Sequence, residues 1–205
     1  MKKTFILLCV ICLAAGIAAR DASAQEKKKS TGKMPSEEEM MKRWEAAMTP
    51  GEAHKKLEAF VGSWDVEAKA WMKGPKDEPS VSKGTAEYKM ALGGRYLQQE
   101  FAGEMMGQPM SGVGYTGYDN FRKKYVSFWI DNMGTAMSTM EGTMDKDGKA
   151  LTMWGKMDEP ATGEKDKKVK YITRVVDKDK HVFEMYDPER FGEKKPVMVL
   201  TYTRK

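Results

Sequence analysis

The chain has 205 residues and a net charge of +5, from 35 Lys and Arg against 30 Asp and Glu. The lysines are interleaved with acids, as in Asp166-Lys167-Lys168, and read as a solvated surface, not a phosphate-binding stripe, which argues against nucleic acid as a partner. The only two cysteines, Cys9 and Cys12, lie in a segment that is expected to be removed, so disulfides, thiolate metal sites and cysteine nucleophiles are excluded from the remainder.

That segment has the three parts of an export signal. Lys2 and Lys3 form a positive start, Phe5 to Ala19 is an apolar run, and Ala22-Ser23-Ala24 offers small residues at a cleavage site before Gln25. The apolar run is shorter than the roughly 20 residues that span a bilayer. Residues 1–24 are therefore read as a signal peptide and the protein as periplasmic or secreted, free of the membrane after cleavage. Lys2, Lys3 and Arg20 against Asp21 take +2 with them and leave about +3. Residues 25–33, charged and without an apolar side chain, are expected to be a disordered linker.

Residues 34–61 predict two short helices. Ser36 and Glu39 form a capping box ahead of Met40, Met41, Trp44, Ala47 and Met48 at helical spacing. Thr49, Pro50 and Glu52 repeat the device ahead of Ala53, Leu57, Phe60 and Val61, with Gly62 as the stop.

From Ser63 the period changes to two. Trp64, Val66, Ala68, Ala70 and Met72 alternate with charged residues, and Ala86, Tyr88, Met90 and Leu92 repeat the pattern. Val126, Phe128 and Ile130 repeat it again, although Tyr125 and Trp129 make the opposite face apolar too. Val169, Tyr171, Thr173 and Val175 follow, and Val197, Val199, Thr201 and Thr203 close the chain. Turn residues stand between the runs, with Asp147-Gly148 predicting a tight type I′ hairpin. Roughly ten strands joined by short connections predict a mainly β domain over residues 62–205, an antiparallel up-and-down barrel.

Phe60-Val61-Gly62-Ser63-Trp64 resembles the entry of calycin barrels such as lipocalins, fatty-acid-binding proteins and nitrobindins. The resemblance implies that Trp64 plugs one end of the barrel and that a late arginine, here Arg204, packs over it. Residues 50–204 also resemble the bacterial family catalogued as domain of unknown function 1579. The carrying segments are Leu57 to Trp64, Leu92-Gly93-Gly94-Arg95-Tyr96-Leu97, Gly112 to Asn120, Tyr125 to Asp131, Met133-Gly134-Thr135 and Tyr202-Thr203-Arg204. That resemblance implies a fold and frequent export, and no activity.

The chemistry-bearing residues are sparse. His54 is expected at the surface of the second helix. His181 opens a late strand and is expected at the surface, while a nitrobindin-like barrel, which holds haem through one histidine, would make it the axial ligand. Met105, Met106 and Met110 form one thioether cluster that would suit Cu(I) in an exported protein. Met133, Met137, Met140 and Met144 form another, but Met137 falls on the opposite strand face from Met140 and Met144. The alternative is that these methionines are core filler. Asp145-Lys146-Asp147-Gly148 starts like a calcium loop and lacks its closing glutamate. Asp131 is read as a partner of Arg95 or as a turn cap, and Asp131 or Glu100 would be the base of any enzyme.

No cofactor is predicted. The leading expectation is a non-enzymatic lipocalin-like barrel binding a small, partly apolar molecule through Arg95, Tyr96, Tyr118, Trp129 and Asp131. The alternatives are a filled barrel that docks a partner on its outside, a methionine-based copper binder, or an enzyme.

Overall fold

The structure is a computed structural model that describes residues 34–205; the segments expected to be a signal peptide and a linker lie outside the described residues. Alternation produces ten antiparallel strands. They are β1 (Gly62–Ala70), β2 (Ser80–Ala91), β3 (Tyr96–Met105), β4 (Gln108–Asp119), β5 (Lys124–Asp131), β6 (Ser138–Met144), β7 (Ala150–Glu159), β8 (Glu164–Asp177), β9 (Lys180–Tyr186) and β10 (Met198–Arg204). Each pairs with its neighbours in sequence, and β1 pairs with β10, so the sheet closes on itself. A closed barrel leaves no unpaired edge.

Two helical segments precede it: α1 (Glu37–Met48), and α2 (Glu52–Lys55) continued by a 3-10 turn over Lys56–Phe60. A one-turn helix, α3 (Pro188–Phe191), joins β9 to β10. Glu37 to Lys205 form one compact unit.

The inner face carries Trp64, Val66, Ala86, Tyr88, Leu97, Phe101, Tyr125, Leu151, Met153, Val169, Tyr171 and Tyr202, all buried. Leu57 and Phe60 of the second helical segment close one end beneath Trp64 and are themselves buried. The bulk of Trp129 explains two glycines: its ring lies flat over Gly112 and Gly114, and a Cβ on Gly114 would meet it at 2.8 Å.

Several local expectations are corrected. Thr49 does not cap α2; its hydroxyl donates to Glu45 O at the end of α1, and Gly51 stands at the N-cap of α2. Leu92 leaves the strand and takes a positive φ of 49° in the turn before Gly93 and Gly94. Residues 145–149 form no two-residue type I′ turn, because only Gly148 has positive φ there. Instead the Asp145 carboxylate accepts from Lys149 N at 2.7 Å, which closes a longer hairpin.

In β5 the inner face is Tyr125, Ser127 and Trp129, so Val126 and Phe128 point outward and Ile130 is exposed. In β10 the inner face is Leu200 and Tyr202, not Val199 and Thr201. In both strands both faces are apolar, and the bulkier set won the interior.

Candidate functional site

The plugged end of the barrel is an aromatic box. Trp64 donates from Nε1 to Phe60 O at 2.9 Å, which fixes the indole across the floor. The Arg204 guanidinium lies 4.1 Å over its ring. From there Arg204 donates to Val61 O at 2.7 Å, Lys178 O at 2.9 Å and Ala59 O at 3.3 Å, tying the last strand to the helical plug and to the β8–β9 turn. Gly62, at φ 129°, passes against this side chain, where a Cβ would collide with it. Only a planar fork reaches three carbonyls and a ring face together. Arg204→Met will therefore lower unfolding stability by about 2 kcal/mol, read as a lower urea midpoint at unchanged slope.

His181 sits in the same box and is buried, against the expectation of a surface residue. Tyr202 stacks on its ring at 4.2 Å, and Trp64, Phe60 and Tyr88 meet it edge-on at 4.4, 5.2 and 5.8 Å. Both ring nitrogens are buried without a hydrogen-bond partner. Burial, and secondarily the nearby Arg204 charge, pushes its pKa down to about 3. These residues do not fit haem. An axial histidine needs one nitrogen open to iron, and here aromatic rings enclose the imidazole. His54 is likewise buried, accepting from Gly51 N at 3.0 Å and lying edge-on to Tyr118.

The residues expected to bind a ligand are divided among four places, one of them the outer face of β3, where Tyr96 lies. Tyr118 packs edge-on to Tyr125 inside, near the plugged end. Trp129 and Asp131 are on the inner face toward the other end, where Trp129 Nε1 donates to Asp131 Oδ2 at 2.7 Å and Met133 N donates to Oδ1 at 2.9 Å. Arg95 is exposed at the plugged end and donates to Leu92 O and to Met48 O of α1. Register places Asp131 beside Gly112, which is beside Phe101, so it stands six residues, roughly 20 Å, along the strands from Arg95. The Arg95–Asp131 pair does not form; Asp131 is a turn cap that also holds an indole. Glu100 points outward and accepts from Lys89 and Gln98.

The methionines divide similarly. Met110, Met140 and Met144 pack against the core, while Met106 and Met137 are exposed. Met105 and Met110 are not cross-strand partners: Met105 faces Gln108, and Met110 faces Gly103. Among the described residues no group of three His, Cys, Asp or Glu is placed to hold a metal ion.

Burial of four phenols completes the interior. It pushes Tyr125 and Tyr171 up to about 12 and raises Tyr88 and Tyr202, so these groups stay neutral. Near the other end, Lys167 and Asp187 form a buried ion pair at 2.9 Å, and the hydrogen bond that the ammonium donates to Asp187 raises the lysine pKa. Asp187 also caps α3 by accepting from Arg190 N. Nothing in a single sequence marks that pair, since both members look like ordinary turn charges.

A depression of about 1250 Å³ lies outside the barrel, on the β3–β8 face. Its floor is the outward row Tyr96, Tyr115, Val126, Phe128 and Trp154, with Met137 at one side. Tyr115 stacks on Phe128 at 5.4 Å, and Tyr96 lies over Gly117, where a Cβ would meet its ring at 2.6 Å. The rim is mainly cationic: Arg122, Lys156 and Lys168 against Glu141. Lys168 sits 4.4 Å over the Trp154 ring, while Glu141 accepts from both Arg122 and Lys124. The sequence signal for this site is the doubly apolar β5, whose Val126–Phe128 row continues the alternation while Tyr125 and Trp129 make the opposite face apolar too.

The fold thus defines the class: a closed ten-stranded up-and-down antiparallel barrel entered through a helical plug. The chain belongs to the DUF1579 family of proteins of unknown function, which matches residues 49–204. No curated protein matches it. Among solved structures it is similar to Rv2717c from M. tuberculosis, at 16% identity and TM-score 0.53, covering 77% of this chain and 99% of that one. It is also similar to a redesigned β-barrel, at 14% identity and TM-score 0.40 over 73% of this chain and 95% of that one. A de novo designed fluorescence-activating β-barrel gives 13% identity and TM-score 0.41 over 73% and 96%.

Proposed function

We propose that the chain is an exported binding protein whose site is the outer β3–β8 groove, not the lumen, and that it binds without chemistry of its own. The export reading rests on the three-part start of the chain. The binding reading is carried by one observation: an apolar, aromatic depression with a cationic rim on a face of the sheet that solvent would otherwise cover. Asp131 and Glu100, the residues offered as bases, are spent as acceptors of structural hydrogen bonds. The rim favours an occupant that is partly apolar and carries acidic groups. Its volume exceeds the roughly 300–1,000 Å³ of drug-sized sites, which favours a chain segment over a small molecule.

An aromatic sulfonate dye, 1-anilinonaphthalene-8-sulfonate, combines the two required features and serves as a probe. It will bind the folded protein at one site, and Phe128→Glu will weaken that binding at least about ten-fold while leaving the β circular-dichroism signal intact. Dye binding insensitive to Phe128→Glu and abolished by Phe183→Ala, whose ring lies beside Tyr171 on the inner face, would place the site inside and overturn this reading.

A further inference from the structure

We propose that the groove is filled by helix α1 of a second copy of this chain, in a two-fold pair; this rests on the groove being the binding site. The apolar stripe of helix α1 is left uncovered in the single chain. The helix has no buried residue, and Met41, Trp44 and Met48, which form one helical stripe, are 63%, 63% and 54% exposed. A 12-residue helix is too short to be stable in water on propensity alone and normally owes its order to packing of its apolar face. Its C-terminal end is held by the barrel. Asn120 Nδ2 donates to Ala46 O, Ala47 O and Thr49 O, and Arg95 donates to Met48 O.

Those two anchors come from the turns that also supply Leu92 and Arg122 to the groove. The helix therefore springs from the rim of the site without entering it, an arrangement suited to reciprocal exchange about a two-fold axis.

Dimensions and charge agree. Twelve residues span about 18 Å, and the six strands of the groove span about 24 Å. Helix α1 carries Glu37, Glu38, Glu39 and Glu45 against Lys42 and Arg43. The two cations are bound within the helix, Lys42 to Glu38 at 2.7 Å and Arg43 to Glu39. Glu37 and Glu45, beside the Met41–Trp44–Met48 stripe, are thus available to Lys168 on the groove rim, and to Lys156 in competition with its pairing to Asp166 at 3.0 Å.

Sedimentation velocity of the purified protein tests this between about 1 and 500 µM, the range in which transient interfaces associate. The protein will pass from one copy to two as concentration rises, and saturating dye will return it to one. Trp44→Glu and Phe128→Glu will each weaken association at least about 30-fold, the scale of a lost central anchor. Val81→Glu, an equally exposed apolar position outside the groove, will leave it unchanged. A wild-type protein that is monomeric throughout, or pairing that survives both Trp44→Glu and Phe128→Glu, overturns the proposal. If the monomer still binds dye in a Phe128-dependent way, the pairing falls and the groove reading stands.

Discussion

Between pH 7 and pH 4 the barrel will lose about 3 kcal/mol of stability through His181 alone. The unfolded chain takes up a proton on this histidine near its ordinary value of 6.5, whereas in the aromatic box the value is held down to about 3, first by burial and then by Arg204. A depressed native pKa means that the unfolded state binds the proton first. The stability is therefore present above 6.5 and is lost as the pH falls from there toward 3. Every other group facing the ring works in the same direction or is indifferent: Phe60 and Trp64 are apolar, and Tyr88 and Tyr202 are neutral phenols with raised pKa values.

His181→Phe removes the titrating group and two unpaired buried nitrogens while keeping the stacking. Carboxylates titrate in the same interval, so the informative quantity is a difference. The stability of the variant minus that of the wild type will rise by about 3 kcal/mol from pH 7 to pH 4, read from urea midpoints at each pH. A difference that stays constant with pH would mean that water or a partner reaches the imidazole.

Asp187→Ala will cost about 3 kcal/mol, although it sits in a connection and touches no groove residue. Its carboxylate is 2.9 Å from the Lys167 ammonium, and both side chains are shielded from solvent. Removing one partner of a buried pair leaves the other charge unpaired, which costs more than the pair contributed. Glu164, 3.2 Å from the same ammonium but half exposed, recovers only part of the loss. Loss of the α3 cap adds to it. Lys167→Met with Asp187→Asn will regain most of the stability, because the double change leaves no buried charge. A thermal melt series of Lys167→Met, Asp187→Asn and the double variant reads the coupling, and additive losses would show that the pair is solvated.

The fold was legible because its physics is local. Period-two alternation and closely spaced turn residues are enough to give ten antiparallel strands, and ten strands close. Which face of a strand is buried was legible only where one face was polar, as in β1. In β5 the rows Tyr125–Trp129 and Val126–Phe128 are both apolar, and only the closed barrel decides between them. The site followed the losing row, and so Tyr96 lines an outer groove instead of a lumen. His181 and Lys167 were unreadable for a related reason. Burial of a polar residue depends on the elements stacked over it, here the helical plug and α3, and those contacts are remote in sequence. The same remoteness hid the meeting of Arg95 with Met48 and brought Asp131 to Trp129 instead of to Arg95.

Binding on the outside of the barrel, as proposed, can be read directly from the tryptophans. The chain carries tryptophans on helix α1 (Trp44), on the inner face (Trp64 and Trp129) and in the groove (Trp154), with Trp71 beyond the end of β1. Fluorine NMR of protein labelled with 5-fluorotryptophan reads all of them in one spectrum. On addition of the dye the Trp154 resonance will shift while those of Trp64 and Trp129 stay in place. A shift of Trp64 or Trp129 with Trp154 unmoved would put the occupant in the lumen and contradict the account.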